Sequence, residues 1–146
     1  MRVLVTGGAG FVGSHTCVSL LQKGHQIIIY DSFCMIPNSV INRISSVSKI
    51  DKYSENQLRV VTGDIRDKGK LNNVFKEAKE ENIPIEAVIH FAGLKSVAES
   101  VINPIIYWDV NVCGTKNLLD IMQYHNCYTI IFSSSATVYG SPSEFP

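Results

Sequence analysis

Residues 3–13 read VLVTGGAGFVG. A short apolar run passes straight into glycines at 7, 10 and 13, and a helical pattern follows at once. This junction constrains the fold more than any other feature of the chain. A strand that feeds directly into a helix starts a crossover unit, and crossovers build parallel sheets. Each glycine has its own reason to be there. Gly7 lets the chain turn sharply off the strand. Gly10 lets backbone N–H groups approach a phosphate, and Gly13, on the helix face that carries Cys17, lets helix and strand pack closely. An anion at the start of that helix meets unpaired N–H groups and the positive end of the helix dipole. The dipole contributes only ~0.3–1 kcal/mol at an exposed site, so the placement of several donors matters more. An ordinary tight turn uses glycines too, so the rest of the sequence has to decide.

The alternation of strand and helix continues to the end. Runs rich in Val and Ile at 3–5, 27–30, 58–61, 87–91 and 128–132 have the pattern of strands buried on both faces. Between them lie helical spacings. Gly13, Cys17, Leu20 and Leu21 share one face. Val40, Ile41, Ile44 and Val47 share another, after a start at Pro37 and Asn38. Leu71, Val74, Phe75 and Ala78 form a third face, and Gly114, Leu118, Ile121 and Met122 a fourth. The pattern predicts an α/β fold: a Rossmann-type doubly wound parallel sheet of about five strands, ordered 3-2-1-4-5, with helices on both faces. Residues 1–146 are expected to form one partial domain of this type. The polar stretch SKIDKYSENQ (48–57) predicts a surface loop.

Composition narrows the function. Thirteen basic and thirteen acidic residues cancel, and the densest run, KEAKEEN at 76–82, is of mixed sign. That is a solvated helix face, not an electrostatic footprint for nucleic acid or an anionic membrane. The N-terminal apolar run is too short for a signal peptide, and no stretch approaches a transmembrane length. Cys17, Cys34, Cys113 and Cys127 show neither CxxC spacing nor a nearby histidine pattern. Reduced thiols in a cytoplasmic protein are expected, without a disulfide framework or zinc site.

Eighteen residues after Gly13, Asp31 ends the second strand in IIIYDS. A carboxylate there can accept from both hydroxyls of a ribose and repels a 2′-phosphate, which predicts NAD(H) in preference to NADP(H). Asp64, in VVTGDIRD at the end of the third strand, is placed where an adenine edge is read. On spacing alone it serves equally well as a turn or helix-cap residue.

The GxxGxxG spacing, HFAGLKSVAES (90–100), NVCGT (111–115) and SSSATVYG (133–140) resemble the extended short-chain dehydrogenases, and within them the UDP-glucose (UDP-galactose) 4-epimerase family. The resemblance covers essentially the whole chain. It implies a retained NAD that takes a hydride from C4 of a UDP-sugar and returns it to the other face of the 4-keto intermediate. It implies Gly7, Gly10, Phe11, Val12 and Gly13 around the pyrophosphate, Asp31 on the ribose, and Asp64 with Ile65 at the adenine. Phe91, Ala92, Gly93 and Lys95 correspond to the turn beneath the cofactor. Asn111 corresponds to the asparagine that starts the next helix, and Ser135 to the catalytic serine that hydrogen-bonds the reacting sugar hydroxyl. Ser32 stands where the family usually has asparagine, which implies a modestly weaker cofactor site. Lys95 without the motif reads as a solvated surface lysine, and Ser133 and Ser134 lie close enough to be confused with Ser135.

The family's base is a tyrosine four residues before a lysine. Four residues beyond Tyr30, Tyr53, Tyr107, Tyr124, Tyr128 and Tyr139 stand Cys34, Gln57, Asn111, Tyr128, Phe132 and Ser143. The 146 residues therefore contain no YxxxK, and Tyr139 belongs to the ATVYG turn. General acid–base catalysis is worth about 10²–10⁴-fold, so these residues alone are expected to be inactive, as a fragment truncated before the base and the substrate domain. Strand 128–132 is then expected at the sheet edge, where apolar strands invite self-association. A UDP-sugar substrate and a homodimer are implied for the complete enzyme. A dehydratase or decarboxylase of the same fold, and a non-catalytic NAD(H)-binding module, remain alternatives.

Overall fold

The computed structural model describes residues 1–49, 57–135, 138 and 140. Most of the 48–57 stretch lies outside the described residues, as do Ala136, Thr137, Tyr139 and residues 141–146. In chain order the elements are β1 (Arg2–Thr6), α1 (Phe11–Gln22), β2 (Gln26–Asp31), α2 (Ser39–Ser48), β3 (Leu58–Thr62), α3 (Lys68–Glu80) and β4 (Ile85–His90), then α4 (Val97–Ile102), α5 (Pro104–Trp108), a π-helical turn (Asp109–Cys113), α6 (Gly114–Tyr124) and β5 (Ile130–Phe132).

The strands form one parallel sheet in the order β3-β2-β1-β4-β5. Side chains alternate across it, so each strand feeds two cores. On one face Leu4, Ile28 and Val88 meet Leu71, Val74, Phe75 and Ala78 of α3 and Leu118, Ile121 and Met122 of α6. On the other, Val3, Val5, Ile27, Ile29 and Ile89 meet Cys17 and Leu21 of α1 and Ile44 of α2. Fully burying one such aliphatic side chain contributes roughly 1.5–3 kcal/mol, and both faces need it. That is why these strands are apolar throughout instead of alternating. Helix starts are set locally. The Asp67 carboxylate accepts the Lys70 N–H at 2.9 Å to open α3, and Ser96 with Glu99 three residues on opens α4. Among the described residues, no helix is long and apolar enough to cross a membrane.

Four details depart from the sequence pattern. Helix α2 buries Ile44, Ser45 and Ser48 and leaves Val47 exposed. The hydroxyls of Ser45 and Ser48 donate to Ile41 and Ile44 carbonyls within the helix, so they turn inward already satisfied. Strand β5 starts at Ile130, two residues late, and Tyr128 stays exposed with its hydroxyl on Asn126. Strand β4 begins at Ile85 and ends at His90, one residue before Phe91.

The fourth departure bears on the site. Asn111 does not start a helix. The helical run begins at Pro104, and Asn111 lies inside its π turn, where the Gly114 N–H reaches back five residues to the Asp109 carbonyl. Helix α5 buries only Tyr107, so no core-facing stripe marks that start in the sequence. π turns of this kind recur at functional sites.

Candidate dinucleotide-binding site

Gly7, Asp31, Asp64 and Gly93 lie at or just past the carboxyl ends of β1, β2, β3 and β4. There the chain leaves β1 and β4, which are neighbours, toward opposite sides, and the crevice between them is where open α/β sheets take ligands.

The glycine turn is held by backbone packing. Gly7 has φ +66 and its N–H donates to the Tyr30 carbonyl at 2.9 Å. A Cβ on Gly7 would stand 2.6 Å from the Ala92 nitrogen, and one on Gly13 would stand 2.3 Å from the Gly7 carbonyl oxygen. The Gly10 N–H closes the turn onto Gly7 at 3.1 Å. Helix α1 then starts after Gly10, which caps it without a side chain, and carries no acid in its first turn. Its first N–H groups, those of Phe11 and Val12 among them, are left to an outside acceptor. The side chains of Phe11 and Val12 are exposed at this mouth.

Asp31 is tied to that turn. Its Oδ2 accepts from the Ala9 N–H at 3.0 Å and its Oδ1 from the Phe33 N–H at 2.9 Å. A carboxylate has about four acceptor sites, so hydroxyl donors can still be met. Ser32 is exposed, with its hydroxyl 3.1 Å from the Cys34 sulfur. Beneath the turn, Cys17 is fully buried; burial, helped by the Asp31 charge, pushes its thiol up to about 12. It fills space and is no nucleophile.

Asp64 is already engaged. Its Oδ1 accepts from the Arg66 backbone N–H and Nε, both at 2.9 Å, and its Oδ2 from Nη2 at 2.6 Å. These hydrogen bonds hold its carboxyl below the usual range. The same guanidinium reaches Asp109 of the π turn at 2.9 Å. The Tyr30 hydroxyl supports the Asp64 carbonyl at 2.9 Å. The Ile65 side chain is in the core, pressed where a Cβ on Gly114 would come within 2.5 Å.

The 91–95 turn is fixed by polar side chains. The Asn111 amide grips Leu94 twice: Oδ1 accepts the Leu94 N–H at 2.8 Å and Nδ2 donates to the Leu94 carbonyl at 2.9 Å. Gly93 lies against the same amide, where a Cβ would stand a tight 3.1 Å from Oδ1. The Phe91 N–H donates to the Thr6 carbonyl. Below, His90 is 1% exposed and lies between Thr6 Oγ1 at 2.5 Å and Thr115 Oγ1 at 2.9 Å. Lys95 is exposed beyond the turn, and Ser135 is exposed past the end of β5, whose Ser133 N–H donates to the His90 carbonyl.

The structure thus gathers Gly7, Gly10, Gly13, Asp31, Phe91, Ala92, Gly93 and Asn111 around one crevice. Sequence reading missed Thr6, His90, Thr115 and Arg66. A histidine at the end of an otherwise apolar strand was the one available signal.

Fold and crevice together define a Rossmann-type protein with an edge suited to a dinucleotide. Residues 4–146 match the family described as GDP-mannose 4,6 dehydratase, and the chain belongs to that family. It is 47% identical to the bifunctional UDP-glucose 4-epimerase and UDP-xylose 4-epimerase 1 of Pisum sativum, over 99% of this chain and 39% of the pea protein. It is 46% identical to a UDP-glucose 4-epimerase of Klebsiella pneumoniae, over 100% of this chain and 97% of that one. The fold superposes on the UDP-glucose 4-epimerase of Bifidobacterium longum, solved with NAD+ and UDP, at a TM-score of 0.87 and 43% identity, covering 100% of this chain and 40% of that one. The chain therefore spans about 40% of the length of most such relatives.

Proposed function

We propose that this chain is the NAD-binding part of a UDP-glucose 4-epimerase that interconverts UDP-galactose and UDP-glucose. The observation that carries the reading is Asp31. Its carboxylate is hydrogen-bonded to the glycine turn itself, so the acid suited to a ribose and the helix start suited to a pyrophosphate form one rigid unit. Gly7 and Gly13 leave no room for side chains in that unit. The residues present fit the cofactor. The N–H groups of Phe11 and Val12 would hold the pyrophosphate, Asp31 with Ser32 the ribose, and the edge from Asp64 to Ile65 the adenine. The turn of Phe91, Ala92, Gly93 and Lys95, fixed by Asn111, would support the cofactor. NAD, when bound, supplies a hydride acceptor. Ser135 would hydrogen-bond the sugar hydroxyl that loses its proton.

Fluorescence titration tests the cofactor assignment. NADH should bind at least tenfold tighter than NADPH, because the 2′-phosphate meets the Asp31 carboxylate; equal affinities sink it. A coupled assay should find no turnover of UDP-galactose by these 146 residues, and turnover would refute the assignment of the base. The family's description favours a second reading, a nucleotide-sugar dehydratase. Loss of water from the sugar by the complete enzyme, in place of epimer formation, would establish it. A homodimer of the complete enzyme belongs to the first reading, supported by exposed Val97, Val101, Ile105 and Trp108 along α4 and α5. Four free thiols suit a cytoplasmic setting.

A further inference from the structure

His90 is an unusual residue to bury at the carboxyl end of a strand, and its surroundings fix where its proton lies. Thr115 has one hydroxyl hydrogen, and its oxygen is 2.6 Å from the Asn111 carbonyl, which can only accept. The hydrogen goes there, so toward His90 Nε2 the Thr115 oxygen must be the acceptor. Nε2 then carries the imidazole proton and Nδ1 is left to accept from Thr6. The Thr6 oxygen, having given its hydrogen away, accepts from the Ala92 N–H at 3.5 Å, the loosest link. The path runs one way, from Ala92 through Thr6, His90 and Thr115 to Asn111, whose side chain returns to Leu94. Both ends lie on the same turn, either side of Gly93.

We infer that His90 is a positioning residue, present as the neutral Nε2–H tautomer, whose hydrogen bonds to Thr6 and Thr115 set the 91–95 turn against the cofactor. The inference rests on the NAD reading above. Burial alone, with no charged partner, lowers the His90 pKa to about 4, in keeping with a ring that stays neutral at pH 7.

The test uses the full chain. ¹⁵N NMR of the imidazoles, with His90→Gln to assign the signal, should show the proton on Nε2 in the unaltered protein and in Thr115→Ser, but a changed tautomer in Thr115→Val. NADH affinity should fall about tenfold in Thr115→Val, the effect of one lost hydrogen bond, and stay within twofold in Thr115→Ser. Leu118→Ala, a core truncation on the same helix, should lower the melting temperature while leaving NADH affinity within twofold. A proton on Nδ1, or NADH binding that ignores Thr115→Val or falls equally in Leu118→Ala, overturns the inference. Failure of the unaltered chain to bind NADH is a separate result: it removes the NAD reading and this role with it.

Discussion

Two turns face each other across the β1–β4 junction, and they are held still by opposite means. The glycine turn is fixed by missing atoms: Gly7 and Gly13 bring backbone so close to backbone that no Cβ fits. The 91–95 turn is fixed by added ones, the Asn111 amide and the Thr6–His90–Thr115 chain. The first arrangement is steric, so it tolerates no size change and is indifferent to pH. The second is polar. It tolerates changes of shape that keep donors and acceptors, and it fails when a proton is added.

The largest expected effect lies in the first turn. Gly13→Ala places a methyl 2.3 Å from a backbone oxygen that no side-chain rotation can relieve. Overpacking costs about 1–3 kcal/mol and sometimes more, and this site belongs at the top of that range or beyond. Loss of the folded state in a chemical melt is expected; a variant within 1 kcal/mol of the parent would show that the turn yields.

Acid should come next, and it should act on the second turn. With a folded pKa of about 4 against about 6.5 unfolded, His90 imposes no penalty above pH 6.5. As pH falls from 6.5 toward 4 the unfolded chain takes up a proton that the native state refuses, so stability drops. The total is about 3 kcal/mol. Urea midpoints measured across this window should lose that slope in His90→Gln, and an unchanged slope would assign the acid sensitivity elsewhere.

Asn111→Ala removes both hydrogen bonds to Leu94 and should cost about 2 kcal/mol, read by thermal melt together with weaker NADH binding. An effect on the melt without one on NADH would separate the turn from the cofactor. The smallest effect serves as the control. Gly24 also has a positive φ, of +79, but a Cβ there meets nothing within 4 Å. Gly24→Ala should cost only the backbone term, about 1 kcal/mol, and a larger loss would undermine the steric account of Gly7 and Gly13.

The same division decides what could be read from sequence. The glycine turn and Asp31 were legible because their logic is local: a strand, a spacing of three and an acid at the next strand's end. The buried faces of α3 and α6 were legible because Leu71, Val74, Phe75, Ala78 and Gly114, Leu118, Ile121, Met122 follow helical spacing without exception. Val47 departs from its helical spacing because two serines that satisfy themselves within the helix take the inward face. Thr6, His90 and Thr115 were illegible because they stand at sequence separations of 84 and 25 and follow no spacing rule. Arg66 and Asp109 are hidden for the same reason, at a separation of 43. The place of Asn111 depends on a π turn, which leaves no periodic trace.

If the proposed NAD reading holds, the crossing of Gly7 with Ala92 is a fixed foundation for any redesign of cofactor preference. Main chain rests on main chain there, and the twenty side chains offer no alternative part. The editable positions are at the rim, where Ser32 is exposed and Asp31 presents a carboxylate gripped by two N–H groups. Even the rim is not wholly free: removing that carboxylate also unfastens Ala9. A switch of preference at residue 31 therefore needs a replacement that can still receive the Ala9 N–H, with asparagine the least disruptive first step.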